Sequence, residues 1–123
     1  MISGNDPNGV GFGGVQIDTG AHDNLVQGNY VGVNANGSAA LGNGYWGVLI
    51  RSGAYHNTIG GTTAAARNLI SGNGVGGIGI AEAGSINNLV QGNYIGTDVT
   101  GNQSVGNTLA GVVISCLRTR LVV

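Results

Sequence analysis

The sequence predicts an all-β fold, a parallel β-helix (solenoid) with three short strands per coil and about four partial coils. Two nested repeats carry that reading. In the longer one, Asn24-Leu-Val-Gln-Gly-Asn-Tyr30 recurs as Asn88-Leu-Val-Gln-Gly-Asn-Tyr94, and the likeness runs on to Ile50 and Ile114 at a constant offset of 64, with 14 of 27 positions identical. In the shorter one, Gly14-Val-Gln-Ile17, Gly47-Val-Leu-Ile50, Gly77-Ile-Gly-Ile80 and Gly111-Val-Val-Ile114 follow one another at spacings of 33, 30 and 34 residues. A unit of that length, alternating apolar and small or polar residues, buries its apolar face only by stacking on a copy of itself.

Each element follows from this period. The first strand of a coil is the Gly-β-x-Ile segment, with β a Val or Ile. Because residues two apart share a face, Val15, Val48, Ile78 and Val112 form one interior stack and Ile17, Ile50, Ile80 and Ile114 another. The second strand begins with Asn at Asn24-Leu-Val26, Asn57-Thr-Ile59 and Asn88-Leu-Val90, and the third at Asn29-Tyr-Val31, Asn68-Leu-Ile70 and Asn93-Tyr-Ile95. These supply the inward Val26, Ile59, Val90 and Val31, Ile70, Ile95. A Gly-Asn pair closes each unit at Asn43, Asn73 and Asn107, and Ile2-Ser-Gly-Asn5 repeats Ile70-Ser-Gly-Asn73, so the chain is expected to begin part-way through a unit.

Glycine and asparagine account for the corners, since Gly takes positive φ without a Cβ clash and Asn reaches that region more readily than most residues. The asparagines also recur in register. Asn24/Asn57/Asn88, Asn29/Asn68/Asn93 and Asn5/Asn43/Asn73/Asn107 are expected to stack as side-chain amide ladders. Coils one and three carry nine extra residues each, Val33 to Leu41 and Thr97 to Val105, and coil two carries Thr62 to Arg67 between its second and third strands. Loops on alternate coils are expected to project from one edge, where such insertions often line a binding face.

Composition narrows the function classes. Charged residues make up 7% of the 123, there is no lysine, and the net charge is -1. That leaves no basic footprint for nucleic acid. The single cysteine excludes an intrachain disulfide. No apolar run approaches the roughly 20 residues of a membrane-spanning helix, and the N-terminus has no basic segment followed by an apolar stretch, so neither membrane insertion nor a signal peptide is expected. Gly74-Val-Gly-Gly-Ile-Gly79 matches a dinucleotide fingerprint in letters, but it precedes a strand and lacks the following helix, so no cofactor is called for.

The Gly-Val-x-Ile and Asn-x-Ile/Val-x-Gly-Asn patterns, with Ile59-Gly-Gly-Thr-Thr-Ala-Ala-Ala-Arg-Asn-Leu-Ile-Ser-Gly-Asn73, resemble the right-handed parallel β-helix repeat proteins of bacteria. The resemblance spans about Ile2 to Ile114. It implies a right-handed coil and a place in a secreted or surface-associated protein. Pectate lyases, alginate epimerases and many adhesins share the fold, which by itself assigns no activity. Residues 1–114 are expected to form the repeat domain. Residues 115–123, where Ser115-Cys-Leu-Arg-Thr-Arg-Leu-Val-Val123 replaces the usual polar turn, are expected to be an atypical tail or cap, or the sign of a fragment cut from a longer solenoid.

Candidate chemistry is sparse. Asp18, Arg51 and Glu82 fall near one another on successive coils as an ion-pair column; polysaccharide hydrolysis would need such groups as acid and base, but a solvated cross-strand pair is the ordinary reading. His22 and Asp23 stack on Tyr55 and His56 at a corner without an adjacent nucleophile. Neither a His-x-His nor an acidic calcium-binding repeat occurs, so no metal site is expected. Tyr30 and Tyr94, with Leu69 between them, and Tyr45-Trp46 are the aromatic candidates for stacking on sugar rings; apolar cover over a thin sheet is the competing role.

The expected function is a non-enzymatic module for adhesion, glycan binding or structural assembly. The alternative is a fragment of a carbohydrate-active lyase, hydrolase or epimerase. Polysaccharide is the candidate ligand, and self-association through coil ends or the apolar tail is expected because exposed strand edges recruit other strands.

Overall fold

The computed structural model describes residues 1–9, 11–115 and 120–122. They form a parallel β-solenoid of about three turns without a helix. In chain order the strands are β1 (Val15–Ile17), β2 (Leu25–Val26), β3 (Tyr30–Val31), β4 (Trp46–Ile50), β5 (Thr58–Gly60), β6 (Leu69–Ile70), β7 (Gly76–Ile80), β8 (Leu89–Gln91), β9 (Tyr94–Ile95), β10 (Ala110–Ile114) and β11 (Arg120–Val122). Three parallel sheets result, ordered β1-β4-β7-β10, β2-β5-β8-β11 and β3-β6-β9. Ile2 adds a single parallel bridge to Val31 at the edge of the third sheet, the partial unit expected from its sequence.

Register follows the repeat. Val15 pairs with Val48, Val48 with Ile78 and Ile78 with Val112, and the Ile17, Ile50, Ile80, Ile114 column runs beside it. Ile59 and Val90 of the second sheet and Val31 and Ile70 of the third close the same core. Burial is graded along the axis. Val48, Ile50, Ile59, Ile70 and Ile78 are fully enclosed, whereas Ile2, Val15 and Val26 at one end and Ile95, Val112 and Ile114 at the other are half-buried, each lacking a further coil on one side. Stacking therefore supplies the burial, as the short strands of a repeat require.

All three asparagine ladders form. Asn24 Nδ2 donates to Asn57 Oδ1 (2.9 Å), and Asn57 Nδ2 to Asn88 Oδ1 (3.0 Å). Asn29 bonds Asn68 and Asn68 bonds Asn93 in the same way. The third ladder runs Asn5, Asn43, Asn73, Asn107 with Nδ2 to Oδ1 distances of 3.0 Å throughout. In each step the backbone N–H of the earlier asparagine donates to the same oxygen, as at Asn57 to Asn88 and Asn73 to Asn107 (both 3.0 Å). The amide nitrogens also reach main-chain carbonyls of the preceding coil, for example Asn68 to Val26 O at 2.8 Å. A buried asparagine is thus satisfied on every side, which removes the penalty of placing its amide in the core.

The corner between the first and second sheets departs from the glycine reading. Thr19, Ser52 and Glu82 have φ of 53°, 54° and 69°, and Asp23, His56 and Asn87 have φ of 57°, 55° and 56°. These are two columns of side-chain-bearing residues in the left-handed region, in register from coil to coil. Short polar residues tolerate that region best, and the first column precedes glycines (Gly20, Gly53) that continue the turn at positive φ. Gly60 is a position where only glycine fits, with φ of 97° and a backbone so close to the next coil that a Cβ would overlap the Gln91 carbonyl oxygen.

Beyond Ile114 the solenoid goes on. Arg120, Leu121 and Val122 pair in parallel with Leu89, Val90 and Gln91, so β11 is the fourth strand of the second sheet. Part of the segment expected as a tail or cap thus pairs with the second sheet. Cys116 to Thr119 and Val123, the rest of that segment, lie outside the described residues.

Candidate functional site

The aromatic candidates separate onto two faces. Tyr30, Leu69 and Tyr94 form one column on the outside of the third sheet, as their pairing dictates. They are not an open column. The two long insertions fold back across it, each closed by an antiparallel bridge, Val33 to Ala40 and Thr97 to Ser104. The first brings Gly37 against Leu69 and the Tyr30 ring, the second brings Gly101 against the Tyr94 ring, and Val99 N donates to Gly37 O at 2.8 Å, joining the two tips. Leu69 is only 3% exposed, and both tyrosines are half-buried. The Arg67 guanidinium lies over the Tyr94 ring, 4.1 Å from its centroid. The expected projecting loops are instead a cover, because coil two has no loop there and the apolar column between the insertions attracts both.

Trp46 belongs to the first sheet, and Tyr45 directly precedes it. Trp46 opens β4, where the sequence pattern placed it just before the strand. Its indole lies over Gly76 and Gly79 of the next coil, where a Cβ would meet the ring. Tyr45 meets it edge-on at 6.4 Å. The glycines of the fingerprint-like segment thus serve as a notch for an aromatic ring.

Ionisable groups are spread among separate contacts. Asp18 and Arg51 pair, Arg51 Nε donating to Asp18 Oδ2 at 3.2 Å, and Gln16 Nε2 donates to the same oxygen at 2.8 Å. The Thr19 hydroxyl donates to Asp18 Oδ1. These bonds, Thr19 and Gln16 ahead of Arg51, hold the carboxyl below its ordinary range against the opposing effect of burial. Glu82 does not join the column. It accepts from the Ser52 hydroxyl at 2.8 Å. An open cavity of about 430 Å³ is lined by Gln16, Ile17, Asp18, Ala21 and Asn24.

His22 stacks on Tyr55, with centroids 4.8 Å apart, and its Nδ1 lies 2.6 Å from Asp23 Oδ2. His56 faces Asn87 across 3.4 Å. The described residues contain no group of three or more potential metal ligands.

Two functional details escaped the pattern. Arg67 on Tyr94 has no sequence signal, since it depends on how the 62–67 turn folds. Asp98 had one, because it occupies the position of Asn34 at the 64-residue offset, with glycine three residues on in both loops. Asp98 Oδ1 accepts from Thr100 Oγ1 (2.6 Å), Thr100 N (3.0 Å) and Gln103 N (3.4 Å), organising the loop as Asn34 organises its own through Ser38 N (2.9 Å).

The Thr100 hydroxyl first, with the loop N–H groups and against the effect of burial, sets the Asp98 carboxyl below its ordinary range. The folded protein then holds that proton less tightly than the unfolded chain. The stabilisation is complete above the unfolded value, about pH 4, and is lost as pH falls through the lower folded value. Asp98→Asn is expected to flatten the acid side of a melting-temperature profile, and an unchanged acid slope would remove this carboxylate from the account.

Comparison with protein-family models, curated proteins and solved structures finds no match to this chain.

Proposed function

We propose that the chain is a non-enzymatic solenoid module that presents rigid lateral faces for adhesion, with carbohydrate as the ligand class. The observation that carries this reading is the dispersal of the reactive groups among the described residues. Asp18 and Arg51 satisfy one another at one corner, Asp98 is spent inside a loop, and Arg67 covers an aromatic ring. The first-sheet face around Tyr45 and Trp46 supplies aromatic surface on a backbone locked by ladders on either side, a form suited to stacking on sugar rings. A secreted or cell-surface setting belongs to the same proposal and rests on the family resemblance.

The enzyme alternative has one observation in its favour, the Asp18–Arg51 pair beside an open cavity. Glycoside hydrolysis takes two carboxylates flanking the bond, and the nearest other acid on that column, Glu82, bonds Ser52. Incubation with acidic and neutral polysaccharides is expected to release neither reducing ends nor unsaturated products. Turnover abolished by Asp18→Asn or Arg51→Ala would reverse the assignment. Binding to a glycan array that Trp46→Ala leaves intact would move the binding face elsewhere.

A further inference from the structure

We propose that Asn36, at the tip of the first insertion, is a site of self-modification, where the side-chain amide is lost through a succinimide and the cover over Tyr30, Leu69 and Tyr94 is released. This goes beyond the lateral faces and holds whatever they bind.

The chain contains four Asn-Gly pairs, Asn8-Gly9, Asn36-Gly37, Asn43-Gly44 and Asn73-Gly74. In such a pair the glycine nitrogen can attack the asparagine Cγ, because the glycine has no Cβ to obstruct the approach. At this tip the bond from Gly37 N to Asn36 Cγ forms, the bond from Cγ to Nδ2 breaks, and ammonia leaves with the proton that Gly37 N gives up. Water then opens the ring at either carbonyl and leaves aspartate or isoaspartate. No oxidant, metal or second substrate enters.

The fold separates the four pairs. Asn43 and Asn73 are fully buried ladder rungs whose amides both donate and accept. Their attacking nitrogens are held between coils, Gly44 N donating to Asn5 O and Gly74 N to Asn43 O, both at 2.8 Å. Reaction there requires neighbouring coils to part. The Asn36 amide is exposed and stands outside the bonds that Asn34 and Ser38 make with each other. Gly37 N donates to Asn34 O at 2.9 Å, a contact within one loop, and a surface loop opens at far lower cost than stacked sheets. Asn8 is exposed too, and Gly9 N donates to Asp6 O at 2.9 Å within a turn, so that pair is expected to react as well.

What sets Asn36 apart is the second role of its neighbour. Gly37 is buried with φ of 66°, and a Cβ on it would stand 2.8 Å from Val99 Cβ and 2.9 Å from Leu69 Cδ2. Packing of the cover thus demands glycine at the very position where glycine makes the asparagine labile. The Gly37 carbonyl also accepts from Val99 N at 2.8 Å, the bond that joins the two tips. Isoaspartate adds a methylene to the main chain directly before Gly37 and sets a carboxylate beside it. Both changes draw that carbonyl away from Val99 and uncover Leu69.

The test ages the 123-residue chain in warm, mildly alkaline buffer and maps its peptides by mass spectrometry, with chromatography to separate isoaspartate from aspartate. Conversion at Asn36 is expected to run about tenfold or more ahead of Asn43 and Asn73, because local opening is so much more frequent than separation of the coils. In concentrated urea the four pairs should react at like rates. Hydrogen exchange at Val99 N should be faster in the isoaspartyl form than in the fresh chain. Asn36→Gln, which keeps the tip uncharged, should hold the fresh rate throughout ageing. Conversion at Asn36 no faster than at the buried pairs, a preference for Asn36 that persists in urea, or Val99 exchange unchanged by conversion would each overturn the inference.

Discussion

Replacing Ile80 by alanine is expected to cost roughly 2 to 5 kcal/mol of stability, from lost burial plus the cavity left behind. Ile80 is 1% exposed and lies between Ile50 and Ile114 in the first sheet. The side chain sits on a strand of five buried residues, Gly76 to Ile80, three of them glycine. Ile78 and Ile80 are consequently the apolar volume that strand offers. The coils are held apart at the ladder spacing, so neighbours cannot close the gap by moving along the axis. Chemical denaturation of the variant checks the value. A loss below that of an exposed substitution would mean that the stacks are not the main source of stability.

Removing the middle rung of a ladder is expected to be the other large effect. Asn57 accepts from Asn24 N and Nδ2, and its own Nδ2 donates to Ala21 O, Tyr55 O and Asn88 Oδ1 at 3.0 to 3.1 Å. Asn57→Ala deletes all five contacts while leaving their partners in place. Buried groups left without partners cost about 1 to 3 kcal/mol, so a loss in that range is expected. Asn102→Ala, on an exposed loop tip, provides the comparison and should be near neutral. Equal losses at the two positions would show that in-register amides contribute no more than turn residues.

What was legible in the sequence follows from what recurrence encodes. Inward residues and ladder asparagines repeat because each coil makes the same contacts with the next, so counting residues was enough to place Val15 on Val48 or Asn57 on Asn88. Tyr30, Leu69 and Tyr94 were placed in one column for the same reason. Their cover was not legible, because a loop's direction depends on contacts between insertions two coils apart, such as Val99 with Gly37. Trp46 was put outside the strand because its reason for joining lies in Gly76 and Gly79, thirty and more residues away. Glu82 was joined to Asp18 and Arg51 although it lies one position displaced from them; the register itself sets it opposite Ser52, whose hydroxyl it accepts from. The strand at Arg120 to Val122 was hidden because its coil lacks the asparagine signature of the others.

The corner formed by Thr19, Ser52 and Glu82 and by Asp23, His56 and Asn87 has a consequence for how this chain can change. At the ladders, shape and residue identity are inseparable, since the side chain itself makes the joint. At this corner the main chain holds the same left-handed bend under six residues of four chemical kinds. A hydroxyl, an acid, an imidazole and an amide have each been accommodated there without altering the path of the coil. That line of positions is where the molecule can exchange charge for neutrality, or a donor for an acceptor, while its framework stays unaware of the change.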